Sequence, residues 1–148
     1  MEIRKGSCLC GAVKYEITAE PIATRICWCR DCQHIASNGT VNIIVPSAEL
    51  SISGELGVFK KGADSGSTVE RRFCPQCGSH LFANSSARPL FTVVRVGTLE
   101  NPSSVKPSAN IWTDSAPDWA CFDSALEKAT HQPAPVSYTH LRAHETLR

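Results

Sequence analysis

The sequence has no long apolar run and few aromatic side chains: five Phe, three Trp and two Tyr among 148 residues. No stretch approaches the roughly 18 consecutive apolar residues of a membrane-spanning helix, so none is expected. An excess of charge is missing too, since the formal net charge is +1 with acids and bases interspersed. A nucleic-acid footprint would need a basic stripe and a high pI, and no nucleic-acid partner is expected. The opening Met1-Glu2-Ile3-Arg4-Lys5-Gly6 has no apolar run behind it, unlike a secretory signal peptide. The expected location is therefore cytoplasmic, where clustered thiols stay reduced and bind metal more often than they pair. A disulfide reading would require an export signal trimmed from the chain. The G-x-S-x-G context of a serine hydrolase is also missing.

What the sequence does hold is cysteine. Seven of its eight cysteines form three tight clusters: Cys8-x-Cys10, Cys27-x-Cys29-x-x-Cys32 and Cys74-x-x-Cys77. Clusters of two, three and two thiols do not divide evenly among four-coordinate metals. Two pairs make one closed four-thiolate site and leave the triplet with three ligands. Structural zinc takes four protein ligands, whereas catalytic zinc takes three and keeps a position for water or substrate. The count therefore predicts two zinc ions, one holding the fold and one placed for chemistry.

Each cluster supports that division. In Cys74-Pro75-Gln76-Cys77-Gly78 the proline fixes φ for a tight turn, and the glycine tolerates positive φ. In Cys8-Leu9-Cys10-Gly11 two residues at i and i+2 reach one ion only if the chain curves, which Gly6 and Gly11 would permit. Three soft thiolates within Cys27-Trp28-Cys29-Arg30-Asp31-Cys32 favour zinc over Mg²⁺ or Ca²⁺. Three thiolates weaken the ion as a Lewis acid, so the site suits a substrate thiol better than water ionisation. Cys121, His34 or His80 are alternative fourth ligands that would close the site. A zinc deaminase would need an H-x-E element beside P-C-x-x-C, and neither is present.

The coarse pattern is short strands between turns. Val13, Tyr15 and Ile17 alternate with Lys14, Glu16 and Thr18, the period of a half-buried strand. Further strands are expected at Thr40–Val45, Ser51–Ser53, Val58–Lys60, Thr68–Phe73 and Phe91–Val96. Asp31 to Ser37 predicts a turn of helix. Trp119, Phe122, Ala125, Leu126 and Ala129 stand at helical spacing after Pro117, which predicts a short helix or turn over Asp118–Ala129. Residues 1–136 are read as one zinc-binding domain, and 137–148 as a disordered or non-native tail.

Three stretches carry a family resemblance: Gly6-Ser7-Cys8-Leu9-Cys10-Gly11-Ala12-Val13, Cys27-Trp28-Cys29-Arg30-Asp31-Cys32-Gln33 and Phe73-Cys74-Pro75-Gln76-Cys77-Gly78. Together with Asn110-Ile111-Trp112 and Pro117-Asp118-Trp119, they resemble the glutathione-dependent formaldehyde-activating enzymes, the centromere protein V-like zinc proteins. The resemblance implies a mostly-β fold, a β-tent of small antiparallel sheets around zinc knuckles. It implies a structural zinc on Cys8, Cys10, Cys74 and Cys77, and a catalytic one on Cys27, Cys29 and Cys32. It also implies a carbon–sulfur lyase that joins a thiol such as glutathione to a small carbonyl such as formaldehyde. Trp28, Arg30 and Asn110 depart from the residues familiar at those positions, which bears on substrate preference. Arg30, Arg71 and Arg72 are candidates for the carboxylates of a glutathione-like thiol, against a reading as ordinary surface charge. The alternative function is a non-enzymatic, zinc-stabilised binding module.

Overall fold

Side chains that alternate in the sequence alternate in space: Tyr15 and Ile17 are buried, while Lys14 and Glu16 face solvent. The computed structural model describes residues 2–63 and 65–133, so the expected tail at 137–148 lies outside the described residues. Along the chain come β1 (Arg4–Ser7), β2 (Lys14–Ile17), β3 (Ala23–Cys27), α1 (Arg30–Ala36), β4 (Thr40–Pro46) and β5 (Leu50–Ser53). Then follow β6 (Gly57–Gly62), β7 (Thr68–Phe73), β8 (His80–Ser85), β9 (Phe91–Arg95), β10 (Ala109–Ile111) and β11 (Glu127–Lys128). The mostly-β expectation is what the structure shows, and α1 falls where a turn of helix was expected. No described helix is long and apolar enough to cross a membrane.

Two compact units interleave along the chain. The first takes Met1–Pro21 and Asn42–Val105. Within it, β2 pairs antiparallel with both β1 and β5. A second antiparallel run places β9 between β4 and β8, and β7 between β8 and β6. Ile17, Ile43, Val45, Leu81, Phe82 and Val94 are fully buried here, each contributing about 1.5–3 kcal/mol by leaving water. The Tyr15 ring meets Phe82 edge-on with centroids 5.2 Å apart, and its hydroxyl lies 2.6 Å from Thr98 Oγ1. Gly6 serves this packing rather than curvature, because a Cβ there would clash with the Tyr15 ring. A register shift between Arg72 and Phe73 breaks the β7–β8 ladder just before Cys74.

The second unit takes Ile22–Val41 and the chain from Lys106 onward. Here β10 pairs parallel with β3 on one side and with β11 on the other. The helical spacing in Asp118–Ala129 does not produce a helix: turns occupy it, and its end becomes β11. Asp123 explains the outcome. Its carboxylate accepts from the Ala125 N–H at 2.9 Å, and its carbonyl accepts from Leu126 N–H at 3.1 Å. Such local bonds from aspartate compete with the helical ladder. Phe122 packs edge-on against Trp28, with centroids 5.5 Å apart.

Candidate functional site

The four-thiol group is made by two tight turns. Gly11 after Cys10 has φ 84, and Gly78 after Cys77 has φ 78, left-handed values that glycine adopts without a Cβ penalty. In the first turn Gly11 N–H donates to Cys8 O at 3.2 Å, and in the second Gly78 N–H donates to Cys74 O at 2.8 Å. Leu9 N–H donates to Ser79 Oγ at 2.9 Å and ties the turns together. The Sγ atoms of Cys8, Cys10, Cys74 and Cys77 all lie within 4.8 Å of one another. Cys10 Sγ is 3.6 Å from Cys8 Sγ and 3.7 Å from Cys74 Sγ. Thiolates arranged tetrahedrally on zinc, with Zn–S near 2.3 Å, stand about 3.8 Å apart. The donors fit zinc in kind and in spacing. The Ser79 hydroxyl, then the Ser79 backbone N–H, pull the Cys77 thiol down to about 5.

The three-thiol group grows from a strand end and a helix start. Cys27 closes β3, Cys29 is the N-cap of α1, and Cys32 stands in its first turn. Their Sγ atoms also lie within 4.8 Å of one another, with Cys27 and Cys32 buried and Cys29 half-buried. Cys32 N–H donates to Cys29 Sγ at 3.4 Å. Contact with Cys29, then with Cys32, then burial hold the Cys27 thiol far above its ordinary range. Three crowded thiols cannot all ionise unless a cation offsets their charge, and a bound divalent ion does so. Soft donors in this number favour zinc over hard cations.

Trp28, between the first two of these cysteines, is fixed through every polar group it has. Its backbone N–H donates to Ile111 O at 3.0 Å, and its indole Nε1–H donates to Asn110 Oδ1 at 2.9 Å. Gln33 Nε2 donates to the Trp28 carbonyl at 2.7 Å and to Ser115 O at 2.9 Å. Asn110 is 1% exposed, so Asn110→Ala strips a buried indole of its acceptor. That substitution is expected to cost about 1–3 kcal/mol, read as a lower midpoint in chemical denaturation. An unchanged midpoint would mean that the indole needs no such partner.

Ile111 joins Cys27 and Cys32 in one buried cluster, and Cys29, Trp112 and Ala129 pack against it. Trp112 has φ 57 and ψ 38, a left-handed conformation that is a true outlier for a bulky residue. Holding a residue there costs of order 1–3 kcal/mol.

The alternative fourth ligands stand elsewhere. Neither Cys121 nor His34 joins the triplet among the described residues: Cys121 is exposed, with Sγ 3.8 Å from Trp119 O, and His34 Nδ1 lies 2.8 Å from Arg30 O. His80 joins neither group; burial, then Arg95 and Arg71, hold its pKa below the ordinary value. Arg30 donates to Gln33 Oε1 at 2.7 Å. Arg72 donates to Asn84 Oδ1 at 2.8 Å and lies over the Phe82 ring. Gln33 and Ser79 did not stand out in the sequence. The one clue was position, a polar residue directly after Cys32 and another two after Cys77.

Residues 3–115 match the family described as glutathione-dependent formaldehyde-activating enzyme. A Halomonas elongata protein provisionally named a glutathione-dependent formaldehyde-activating enzyme is 24% identical over 127 residues, covering 81% of each chain. A crystal structure of a Rhodobacter sphaeroides protein superposes with a TM-score of 0.55 at 26% identity, over 68% of this chain and 93% of that one. The family match contains all seven clustered cysteines, in the order that the two thiol groups require. The chain belongs to the glutathione-dependent formaldehyde-activating enzyme family.

Proposed function

We propose that this protein is a zinc-dependent carbon–sulfur lyase that adds a thiol such as glutathione to a small carbonyl such as formaldehyde. The observation that carries the reading is the Cys27, Cys29 and Cys32 group, where three thiols converge without a fourth Cys, His, Asp or Glu among the described residues. Cys8, Cys10, Cys74 and Cys77 would hold a structural zinc, and the triplet would hold the catalytic one. Bound at the triplet, zinc supplies the positive charge that favours loss of a proton from a nearby thiol at neutral pH. In the reaction a sulfur–carbon bond forms, the carbonyl double bond opens, and the thiol proton ends on the carbonyl oxygen. The reverse reaction restores the carbonyl and expels the thiol.

This chain's own residues set the geometry. Gln33 fixes the Trp28 carbonyl and Asn110 fixes the indole, so the Cys27–Cys29 loop is held by bonds that do not pass through the thiols. Partners of bonded groups of this kind orient metal ligands. Ile111, Trp112 and Ala129 give the triplet an apolar surround, which strengthens the electrostatics within it.

Exchange NMR on formaldehyde and glutathione at equilibrium tests the reading, with zinc-loaded protein against a protein-free control. Exchange faster than the spontaneous rate is expected. Equal rates at two bound zinc ions would reject this substrate pair and favour a zinc-stabilised binding module.

A further inference from the structure

In a regular strand, adjacent side chains point to opposite faces. Ile111 and Trp112 are adjacent, yet Ile111 lies in the cluster with Cys27 and Cys32, and Trp112 packs against that same cluster. The left-handed backbone at Trp112 accounts for this, since it turns the chain directly after β10 and starts a 3-10 turn over Thr113–Ser115. Ser37 is the other described non-glycine residue with positive φ, and it ends α1, where that conformation is common. Trp112 has no such ordinary reason. Backbone outliers of this kind persist where the surroundings enforce them, and they concentrate at functional sites.

The enforcement comes from the segment Ala129–Gln132, which lies beyond the residues matched by the family. Trp112 N–H donates to His131 O at 3.3 Å, Thr113 N–H to Ala129 O at 3.2 Å and Asp114 N–H to Thr130 O at 3.3 Å. The indole Nε1–H donates to Gln132 Oε1 at 3.0 Å. Its ring meets the His131 ring edge-on, with centroids 5.3 Å apart. The result is a half-buried indole, clamped at its polar edge and in contact with the cysteine cluster.

We propose that Trp112 is a specificity-determining residue of the triplet site. Its indole is the apolar wall on which the carbons next to the sulfur of an incoming thiol pack, and Gln132 is the positioning residue that holds it. Sulfur and aliphatic carbon both pack favourably against aromatic rings. The proposal rests on reading the triplet as a thiol site.

Cobalt substitution separates the possibilities, because the sulfur-to-cobalt absorption of the loaded protein reports thiol binding without turnover. Glutathione and methanethiol are titrated into wild type, Trp112→Gly and Gln132→Ala. Glycine suits the backbone at 112 and offsets part of the packing lost with the half-buried indole, so the thermal midpoint of Trp112→Gly is expected to fall only modestly. Its cobalt spectrum before thiol is expected to match wild type. Affinity for glutathione should fall about tenfold, with less than about a threefold change for methanethiol, which has a single carbon to pack. Gln132→Ala, at an exposed residue, should show the same selective loss at smaller size. Equal losses for both thiols, no loss, or a cobalt spectrum altered before thiol is added would each overturn the role of Trp112. Failure of wild type to bind either thiol would instead bring down the thiol-site reading itself.

Discussion

Cys74→Ala is expected to yield a chain that does not fold at 25 °C, with or without added zinc. The argument is one of magnitude. Cys74 is fully buried, and packing alone would predict a small loss from removing one sulfur atom, about 1 kcal/mol on the scale of a buried methylene. It is one of four thiols within 4.8 Å, and a structural zinc held by them would contribute on the scale of zinc-finger peptides, about 10–16 kcal/mol. That is comparable with the whole stability of a domain, about 5–15 kcal/mol. Far-UV circular dichroism and zinc content together read the result. A folded variant that melts within a few degrees of wild type and keeps two zinc ions would refute a structural role for this centre. Cys10→Ala is the informative companion, since Cys10 is exposed and its packing contribution is close to nothing. If it fails as Cys74→Ala does, the metal explains the loss.

The two thiol groups were legible in the sequence because their thiols cluster locally along the chain. Cys27, Cys29 and Cys32 fall within six residues, and a glycine follows each of the two turns that carry the paired cysteines. Alternation revealed β2, and runs of β-branched residues revealed β4 and β9. The runs at Ser51–Ser53, Val58–Lys60 and Thr68–Phe73 likewise marked β5, β6 and β7, but β8 and β10 left no such trace. In β8, Leu81, Phe82 and Ala83 are buried in succession, which erases the period of two. β10 is three residues long and pairs parallel with partners far away in sequence. The apolar spacing in Asp118–Ala129 was real but served Phe122 against Trp28, not a helix. Least legible were the supports of the triplet. The bonds from Trp28 to Asn110 and from Gln33 to Ser115 each cross 82 residues, and tryptophan does not announce a left-handed backbone as glycine would.

Cys32→Ala is expected to abolish protein-dependent exchange between formaldehyde and glutathione while leaving the fold in place. Its sulfur is one of only three in the triplet, so no spare Cys, His, Asp or Glu among the described residues stands ready to replace it. The backbone bonds that place α1 do not pass through that sulfur: Gln33 N–H still donates to Cys29 O at 3.0 Å, and the Gln33 side chain still spans Trp28 and Ser115. The stability loss should therefore stay near that of a truncated small side chain, about 1–2 kcal/mol, while zinc content falls from two ions to one. Gln33→Ala supplies the graded comparison. It keeps all three thiols but frees the loop between them, and loss of such orienting partners typically costs 10–100-fold in metal affinity or activity. Wild-type exchange in Cys32→Ala would move the chemistry away from the triplet. A chain that unfolds would make the triplet a second structural centre, and the case for a lyase would lose the observation on which it stands.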